Sequence, residues 1–265
     1  MTLPMPYKDF KWEEPTDELL DAEQSPLLEK ILKTKSDSKI GYFIEVDLEY
    51  PDCIKDKTKY YPLAPIKRKI IYDKLLDWQK NIKINKNSST EKIICDQTNK
   101  TNYLCHYENL QFYVKMGMKI KKVHSIISFK QKCFMKNYIL DNIANRKIAK
   151  DKGEEFGVTI FKLLNNAVFG KTVENLDKRR NINVYTSKEI NKVKKIIAKP
   201  TFEGYKKFSD YLIAIETENY EKLYNKPIYI GFSILELSKL QMYKMFYETL
   251  IFKFWESNFF TCSGY

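Results

Sequence analysis

The sequence predicts an α+β fold. This prediction rests on one stretch that is typical of a strand and three that are typical of helices. Residues 41–50 alternate apolar and polar side chains, which is typical of a strand with one buried face. Residues 136–152 and 156–175 place apolar side chains at helical spacing, and residues 233–254 form a third helical stretch. At 265 residues the chain is long enough to bury a sizeable core, as one domain or as several lobes.

Composition indicates a polyanionic partner. The net charge is +12 and the isoelectric point is near 9.2, as expected for a protein that binds nucleic acid or a membrane surface. Lysine-rich solvated faces encoded by an A/T-rich genome would give the same composition. No apolar run is long enough to span a membrane, and Pro4 and Pro6 lie where a secretory signal needs its apolar core. We therefore expect no membrane partner.

Cysteine and histidine residues exclude several kinds of site. The five cysteines form no C-x-x-C motif, so we expect free thiols in a reducing, intracellular compartment. Two histidines are too few for a histidine-rich metal site. The adjacent Cys105 and His106 are a weak indication of zinc, and a pair buried on a strand is the favoured interpretation.

The first 135 residues are predicted to mix short helices and strands. Prolines at positions 4, 6 and 15 exclude a long opening helix, whereas residues 26–34 can form a short one. The later elements are a helix at 69–83, an Asn/Ser/Lys-rich loop at 81–91, a strand at 102–107, a helix at 108–116 and a strand at 118–129.

The strand at 41–50 has two different faces. One face is predicted to be buried and carries Tyr42, Ile44, Val46, Leu48 and Tyr50. The other face carries Glu45, Asp47 and Glu49, and three carboxylates at this spacing can hold a divalent cation. A solvated sheet face is the favoured interpretation of these carboxylates.

Three lysines of the strand at 118–129 form a second candidate surface. They can contact phosphate groups, or they can protect an exposed sheet edge from aggregation. These lysines are Lys119, Lys121 and Lys122.

The helix at 136–152 is predicted to have an apolar and a basic side. The inward residues are Tyr138, Ile139, Ile143 and Ile148, and the outward residues are Arg146, Lys147 and Lys150. Gly153 and Gly157 then break or bend the chain, so this helix and the next are expected to form a hairpin.

The second helix, at 156–175, is predicted to end or bend at Gly170. Its apolar side carries Ile160, Leu163, Leu164, Ala167 and Val168. Lys162, Asn166 and Phe169 share the opposite side at i, i+4 and i+7. This side suits a ligand with phosphates at one end and a flat base at the other, because lysine binds phosphate and phenylalanine stacks. A solvated helix surface is the alternative.

The remaining stretches are a basic helix and a strand–helix pair. Ser187 can cap the basic helix, whose apolar stripe carries Ile190, Val193, Ile196 and Ile197. Its exposed lysines are Lys192, Lys194 and Lys195. Residues 227–232 are predicted to form a short strand ahead of the helix at 233–254.

The run Lys162-x-x-x-Asn166-Ala167-Val168-Phe169-Gly170 resembles the fingers-helix motif of family B DNA polymerases, Lys-x-x-x-Asn-Ser-x-Tyr-Gly. Ala167 stands at the serine position and Phe169 at the tyrosine position. Extended to Asn175, the run is similar to that of the protein-primed family B polymerases of viruses and self-synthesising mobile elements. Residues 41–51, 61–65 and 226–239 belong to the same resemblance.

The resemblance implies a partial polymerase fold with a fingers helical hairpin, mixed α/β insertions and one palm helix. Its regions are a palm-proximal insertion that contacts terminal protein and DNA at 1–135, the hairpin at 136–176, a second basic insertion at 177–226 and a partial palm strand and helix at 227–265.

The resemblance also implies the role of each candidate residue. Lys162 contacts the triphosphate of an incoming dNTP, joined by Arg146 and Lys150. Asn166 and Phe169 line the nascent base pair. Gly170 allows close approach, and template–primer DNA lies along the lysines at 119, 121, 122, 192, 194 and 195. A terminal priming protein is a further implied partner.

The catalytic metal motifs of the family are not found in the sequence. Nucleotidyl transfer uses two divalent cations, normally Mg²⁺, held by aspartates. The sequence holds neither an Asp-x-x-Ser-Leu-Tyr-Pro motif nor a Tyr-x-Asp-Thr-Asp-Ser motif, and the run from Asp47 to Pro51 is two residues too short for the first. We therefore expect an internal fragment that is inactive alone, with Mg²⁺ bound only by the intact enzyme.

Two other functions remain open at this point. One is a non-catalytic basic protein that binds nucleic acid through its charge alone. The other is a metal-dependent hydrolase that uses Glu45, Asp47 and Glu49.

Overall fold

The computed structural model describes residues 1–13, 26–69, 72, 80, 91–218 and 223–251. Most of the predicted helix at 69–83, most of the loop at 81–91 and Cys262 lie outside these residues. The chain divides into two compact units, Met1–Lys162 with Phe232–Tyr265, and Leu163–Gly231. The α+β prediction is confirmed, because helices alternate with three small antiparallel sheets.

The first unit is built on a four-stranded antiparallel sheet. Its strand order is β1-β6-β2-β5. The bounds are β1 Met5–Glu13, β2 Ile40–Glu49, β5 Lys100–His106 and β6 Lys119–Lys132. A separate two-stranded ribbon pairs β3, Ile66–Lys69, with β4, Glu91–Ile94.

The central strand β2 confirms the alternation prediction. Tyr42, Ile44, Val46, Leu48 and the following Tyr50 are all at most 4% exposed. The opposite face of β2 is also partly covered, because side chains from outside the strand pack on it. Phe43 is buried there, with its ring centroid 4.5 Å from that of Phe129 and 5.1 Å from that of Phe232.

Strand β1 is absent from the sequence predictions. Pro6 lies within it and has no N–H group to donate, so the local pattern did not indicate a strand here. A proline is tolerated because β1 is an edge strand that pairs only with β6.

The helices of the first unit are α1 Pro26–Leu32, α2 Lys55–Thr58, α3 Tyr107–Lys115 and α4 Lys136–Asp151. Three of them, α1, α3 and α4, lie close to their predicted positions, whereas α2 was not predicted. Asp52–Ile54 is a short 3₁₀ turn between β2 and α2.

Cys105 and His106 form the predicted buried pair. Both are fully buried at the end of β5, and burial lowers the pKa of His106 to about 3. His106 Nδ1 accepts a hydrogen bond from the Glu108 backbone N–H at 3.4 Å and caps α3. Cys53, Cys95, Cys105 and Cys133 are free thiols, as predicted.

The second unit contains a three-stranded antiparallel sheet, which was not predicted from the sequence. Its order is β7-β9-β8, with bounds β7 Asn181–Thr186, β8 Phe202–Ser209 and β9 Leu212–Thr217. Helix α6, Ile190–Ile197, follows a 3₁₀ turn at Ser187–Glu189. The residue that caps this turn is Thr186 and not the predicted Ser187, since the Thr186 N–H donates to the Glu189 carboxylate at 3.3 Å.

Two long helices, α5 and α7, contain the positions at which the chain passes from one unit to the other. Helix α5 runs from Glu155 to Thr172 and therefore continues through Gly170, where an end or bend was predicted. Helix α7 is Ile228–Lys244, followed by a π-helical stretch at Met245–Leu250. The predicted strand at 227–232 is wrong, because these residues form the first turn of α7. Five apolar residues in this run of six fit a buried helix as well as a strand.

Candidate nucleotide and DNA interface

Helices α4 and α5 are joined by a tight turn. The Glu154 N–H donates to the Ala149 carbonyl at 2.8 Å, and Gly153 adopts a φ of 74° that favours glycine. Gly157 does not break the helix, contrary to expectation. It lies in the first turn of α5, where an added Cβ would be 3.0 Å from the Ala149 Cβ. The absence of a side chain at Gly157 therefore lets the two helices approach closely.

The basic residues of α4 lie on a different side from the predicted one. At 100° per residue, Arg146 and Lys150 fall within about 20° of Ile139, which is 4% exposed. Both cations are nevertheless exposed. The side of α4 that is buried at Ile139 is therefore exposed to solvent at Arg146 and Lys150, close to the turn that joins α4 to α5.

The apolar residues of α4 correct the sequence prediction further. Only Ile139 of the four predicted inward residues is buried. Tyr138, Ile143 and Ile148 are 45–52% exposed. The reason is that these three side chains point in three directions around the helix, so no single neighbour can cover them.

The covered side of α5 also differs from the predicted apolar stripe. Leu163 and Leu164 are 58% and 38% exposed, and Ala167 is exposed as well. Of the predicted stripe, Ile160 and Val168 are partly covered, as are Phe161, Asn165 and Phe169 outside it, and Thr172 is buried. Helical spacing alone predicted that covered residues recur every three or four positions, but it did not predict correctly which side of the helix is covered.

The candidate residues of α5 lie along one border of this covered side. Lys162, Asn166 and Phe169 fall within about 60° of one another around the helix. Lys162 and Asn166 are exposed, whereas Phe169 is half-buried. No described atom outside the helix backbone lies within 4 Å of the position that a Cβ on Gly170 would take. The surface beside Asn166 is therefore open.

The candidate cations of the hairpin have no counter-ion among the described residues. Neither Lys162 nor Arg146 nor Lys150 forms an ion pair with any acidic residue that the structure describes. Other basic residues are neutralised locally: Arg179 and Lys171 both bind Glu174, at 2.9 and 3.2 Å. Unpaired cations keep their charge available for a polyanionic ligand.

The lysines at the start of β6 are partly neutralised. Lys121 forms a 2.7 Å ion pair with Glu49, and Lys119 and Lys122 lie opposite Glu49 and Asp47 in the β2–β6 register. Strand β6 is internal to the sheet, but β1 reaches only its second half. Among the described strands, the first half of β6, where the lysines lie, therefore pairs only with β2.

The lysines of α6 are exposed on a helix with one buried position. Val193 is 3% exposed, whereas Ile190 and Ile197 of the predicted stripe are 49% and 40% exposed. Lys192 is paired with Glu189 at 2.9 Å. Lys194 and Lys195 have no acidic partner in the described part of the chain.

The three carboxylates of β2 each have a different partner. Glu45 accepts from the Ser125 hydroxyl at 3.0 Å, and Glu49 binds Lys121. Asp47 accepts from the Asn102 N–H at 2.8 Å and lies 2.7 Å from His124 Nε2. Partial burial acts to raise the pKa of Asp47, but these two hydrogen bonds outweigh it and the pKa is lowered.

The described residues do not fit a magnesium site. No group of three His, Cys, Asp or Glu side chains among them could hold a metal ion. The Asp47–His124 pairing was missed at the sequence level, because it depends on the β2–β6 register, which local pattern does not define.

A cleft of the first unit contains none of the candidate residues. It has a volume of about 360 Å³ and lies between α1 and the β1–β6 edge of the sheet. Residues Asp9, Glu13, Lys30 and Lys130 are among its lining. No described helix is both long enough and apolar enough to cross a membrane.

Comparison with known proteins identifies the family. The family model of DNA polymerase type B, organellar and viral, matches residues 1–249. No curated protein and no solved structure matches the chain. The matched region includes α4, α5, α6 and all nine strands. Because the match covers nearly the whole sequence, the chain belongs to the type B DNA polymerases of organelles and viruses.

Proposed function

We propose that this chain supplies the incoming-nucleotide and DNA-contacting part of a protein-primed family B DNA polymerase. The observation that carries the proposal is the exposed, unpaired state of Lys162 on the α4–α5 hairpin. Family membership supplies the reaction class, DNA-directed DNA synthesis from dNTPs.

Lys162, Arg146 and Lys150 bind the triphosphate in this proposal. Each cation can donate charge-assisted hydrogen bonds to phosphate oxygens, worth about 1.5–3 kcal/mol apiece. The guanidinium of Arg146 can hold two oxygens at once, whereas the two ammonium groups act as compact charges.

Asn166, Phe169 and Gly170 contact the nascent base pair. The Asn166 amide both donates and accepts hydrogen bonds, and the Phe169 ring offers an apolar face. The open space at Gly170 accommodates a nucleic-acid strand.

Template–primer DNA runs along the lysines of β6 and α6. Lys119, Lys122, Lys194 and Lys195 provide phosphate contacts, while Lys121 and Lys192 exchange an internal carboxylate for phosphate. Residues 1–135 are the region we assign to contact with a terminal priming protein, and 136–176, 177–226 and 227–265 keep the roles of hairpin, second insertion and partial palm.

Catalysis by this chain alone is not expected. The sequence contains neither aspartate motif of the family, and the described side chains do not assemble a cation site. In this proposal the intact enzyme, and not this chain alone, holds the catalytic Mg²⁺. Primer extension by the purified chain with Mg²⁺ should yield no product, and any templated product would contradict this.

The nucleotide contact is tested by titrating the purified chain with a fluorescent dNTP. Replacing Lys162 with alanine should weaken binding about tenfold or more, since one charge-assisted contact is lost. Lys57, an exposed and unpaired lysine of α2, is the matched control, and Lys57→Ala should bind as the unchanged chain does. Equal effects of the two substitutions would favour a basic nucleic-acid-binding protein that makes no specific use of Lys162.

A further inference from the structure

The cleft between α1 and the β1–β6 edge of the sheet has no role in the proposed nucleotide and DNA contacts. Its volume of about 360 Å³ is large enough for a small molecule, because ligand sites in proteins begin at roughly 300 Å³. Three elements give it apolar walls, with Leu27 on α1, Ile40 on β2 and Phe129 on β6. The polar groups of the cleft are more unusual and indicate what it can bind.

Tyr42 has a hydroxyl group that the fold leaves without a partner. The residue is only 4% exposed and it lines the cleft, so the exposed part faces the cleft. None of the described residues forms a hydrogen bond with its hydroxyl. Burial raises the pKa of Tyr42, and the negative charge of Glu13 adds to the effect, so the hydroxyl is a neutral donor at pH 7. An acceptor placed in the cleft would complete this hydrogen bond.

Glu13 is a second group with unused hydrogen-bonding capacity. Its Oε1 accepts from the Ser128 hydroxyl at 2.8 Å, whereas its Oε2 has no partner among the described residues. Ser128 is also the residue opposite Tyr42 in the β2–β6 register, so Glu13 and Tyr42 both lie next to Ser128. One ligand hydroxyl can accept a hydrogen bond from Tyr42 and donate one to Glu13.

Two lysines at the cleft carry charge that no described acidic residue neutralises. Lys11 on β1 and Lys30 on α1 are exposed, and neither forms an ion pair within the part of the chain that the structure describes. Lys130, by contrast, is paired with Asp9 at 2.7 Å. Ammonium groups from two different elements suit a phosphate group, because its oxygens can accept from both.

The combination of these groups excludes simpler ligands. A purely apolar ligand would leave Tyr42 and Glu13 without partners, and a bare anion would be repelled by Glu13. A ligand with hydroxyl groups at one end and a phosphate at the other satisfies both sets of groups. Its carbon skeleton would contact Leu27 and Ile40.

We propose that this cleft binds a small sugar phosphate. Tyr42 donates to a sugar hydroxyl and Glu13 accepts from it, while Lys11 and Lys30 hold the phosphate. The inference goes beyond the polymerase function, because it uses none of the residues assigned above to nucleotide or DNA.

Calorimetric titration of the purified chain with ribose 5-phosphate tests the site. Tyr42→Phe should weaken binding about three- to tenfold, since one hydrogen bond is lost while the ring remains. Tyr113→Phe is the matched control and should have no effect, because Tyr113 is fully buried and is not among the described lining residues. Lys30→Ala should weaken binding about tenfold, whereas Lys57→Ala on α2 should not change it.

Glu13→Gln distinguishes sugar recognition from attraction of any phosphate. Ribose 5-phosphate should bind about threefold or more weakly, because an amide oxygen is a poorer acceptor than a carboxylate. Inorganic phosphate should bind equally well or better, because a negative charge has been removed from the cleft. Thermal unfolding of each variant checks that the fold is retained.

The sugar phosphate can be a free metabolite or part of a nucleotide, and uridine 5′-monophosphate separates the two. Binding that is tighter than that of ribose 5-phosphate and equally sensitive to Tyr42→Phe would identify a nucleotide as the source. Weaker binding would identify the free sugar phosphate. Either result supports the site.

Three results would overturn the inference. They are no binding of ribose 5-phosphate by the unchanged chain, binding that survives both Tyr42→Phe and Glu13→Gln, and an equal loss in Tyr113→Phe. None of them bears on the dNTP contact, since Lys162→Ala should bind ribose 5-phosphate as the unchanged chain does. Failure of the dNTP titration would likewise leave the cleft site standing.

Discussion

Two glycines in the second unit differ in what surrounds them. A Cβ on Gly231 would lie 2.2 Å from Val173 Cγ1 and 2.7 Å from Thr172 Oγ1, so the start of α7 contacts the end of α5 there. A Cβ on Gly170 would meet no described atom within 4 Å. Gly231 therefore serves packing. Gly170 has no packing reason that the described residues reveal, which is compatible with the close approach of nucleic acid proposed above.

Replacing Gly170 with alanine should separate stability from binding. Alanine in a helix is favoured over glycine by about 0.5–1 kcal/mol, so the free energy of unfolding should stay the same or rise. DNA affinity should fall, because the added methyl group occupies the surface that a strand approaches. Urea unfolding and anisotropy with a template–primer duplex measure the two effects.

Gly231→Ala is the matched control for that substitution. The same methyl group is forced into Val173 and Thr172, and overpacking of this kind costs about 1–3 kcal/mol. Improved DNA binding by Gly170→Ala would contradict the proposed approach of nucleic acid at that position.

Helix α7 is attached to α3 and β5 by a buried polar network. Glu236 is 4% exposed, and its carboxylate accepts from the Asn109 amide at 2.9 Å and from the His106 N–H at 3.4 Å. Lys239 completes the network by pairing with Glu236. Removing the carboxylate takes away the counter-charge of Lys239 and one acceptor of Asn109, so the network helps to hold α7 against α3 and β5.

Glu236→Ala should lower the free energy of unfolding by about 3–5 kcal/mol. The substitution leaves a mostly buried ammonium at Lys239 without its counter-charge and removes an acceptor from Asn109. Chemical denaturation measures the loss. The exposed Glu29–Lys33 pair of α1 is the control, and Glu29→Ala should cause no measurable change. Similar stability of the two variants would show that the buried network is dispensable.

At the scale of the whole molecule, the buried imidazole of His106 makes the stability of the fold depend on pH. His106 is fully buried and its Nε2 has no described hydrogen-bond partner. Burial lowers its pKa from 6.5 to about 3, so the folded chain keeps it neutral while the unfolded chain binds a proton below pH 6.5. The stability that depends on the neutral form is complete above pH 6.5 and is lost as the pH falls.

The unfolding free energy should therefore fall by about 1.4 kcal/mol per pH unit between pH 6 and 5 through His106 alone. Denaturation at pH 7, 6 and 5 measures this slope against His106→Asn, which keeps an acceptor for the Glu108 N–H but cannot titrate. Glu108, whose pKa is raised by burial, acts in the opposite sense in both proteins and cancels in the comparison. Identical slopes would refute the role of His106.

The sequence pattern was sufficient to predict which residues are buried in a strand, where there are only two faces to choose from. The alternation from Tyr42 to Tyr50 correctly identified β2 and its buried face, since a strand has only two faces. The motif from Lys162 to Gly170 correctly indicated the polymerase family. Pattern failed for the apolar sides of α4 and α5, because a helix can turn any side to a neighbour and exposed leucines are common.

The order of residues along the chain determined the family, the α+β class and the identity of the candidate cations, because these depend on residue type and local spacing. Only the tertiary structure decided that Asp47 meets His124, that α4 is buried at Ile139 and exposed at Ile143 and Ile148, and that the rings of the β8–β9 hairpin remain exposed. The physical reason is that strand register and helix rotation are set by contacts between residues distant in sequence, and a local pattern does not contain those contacts.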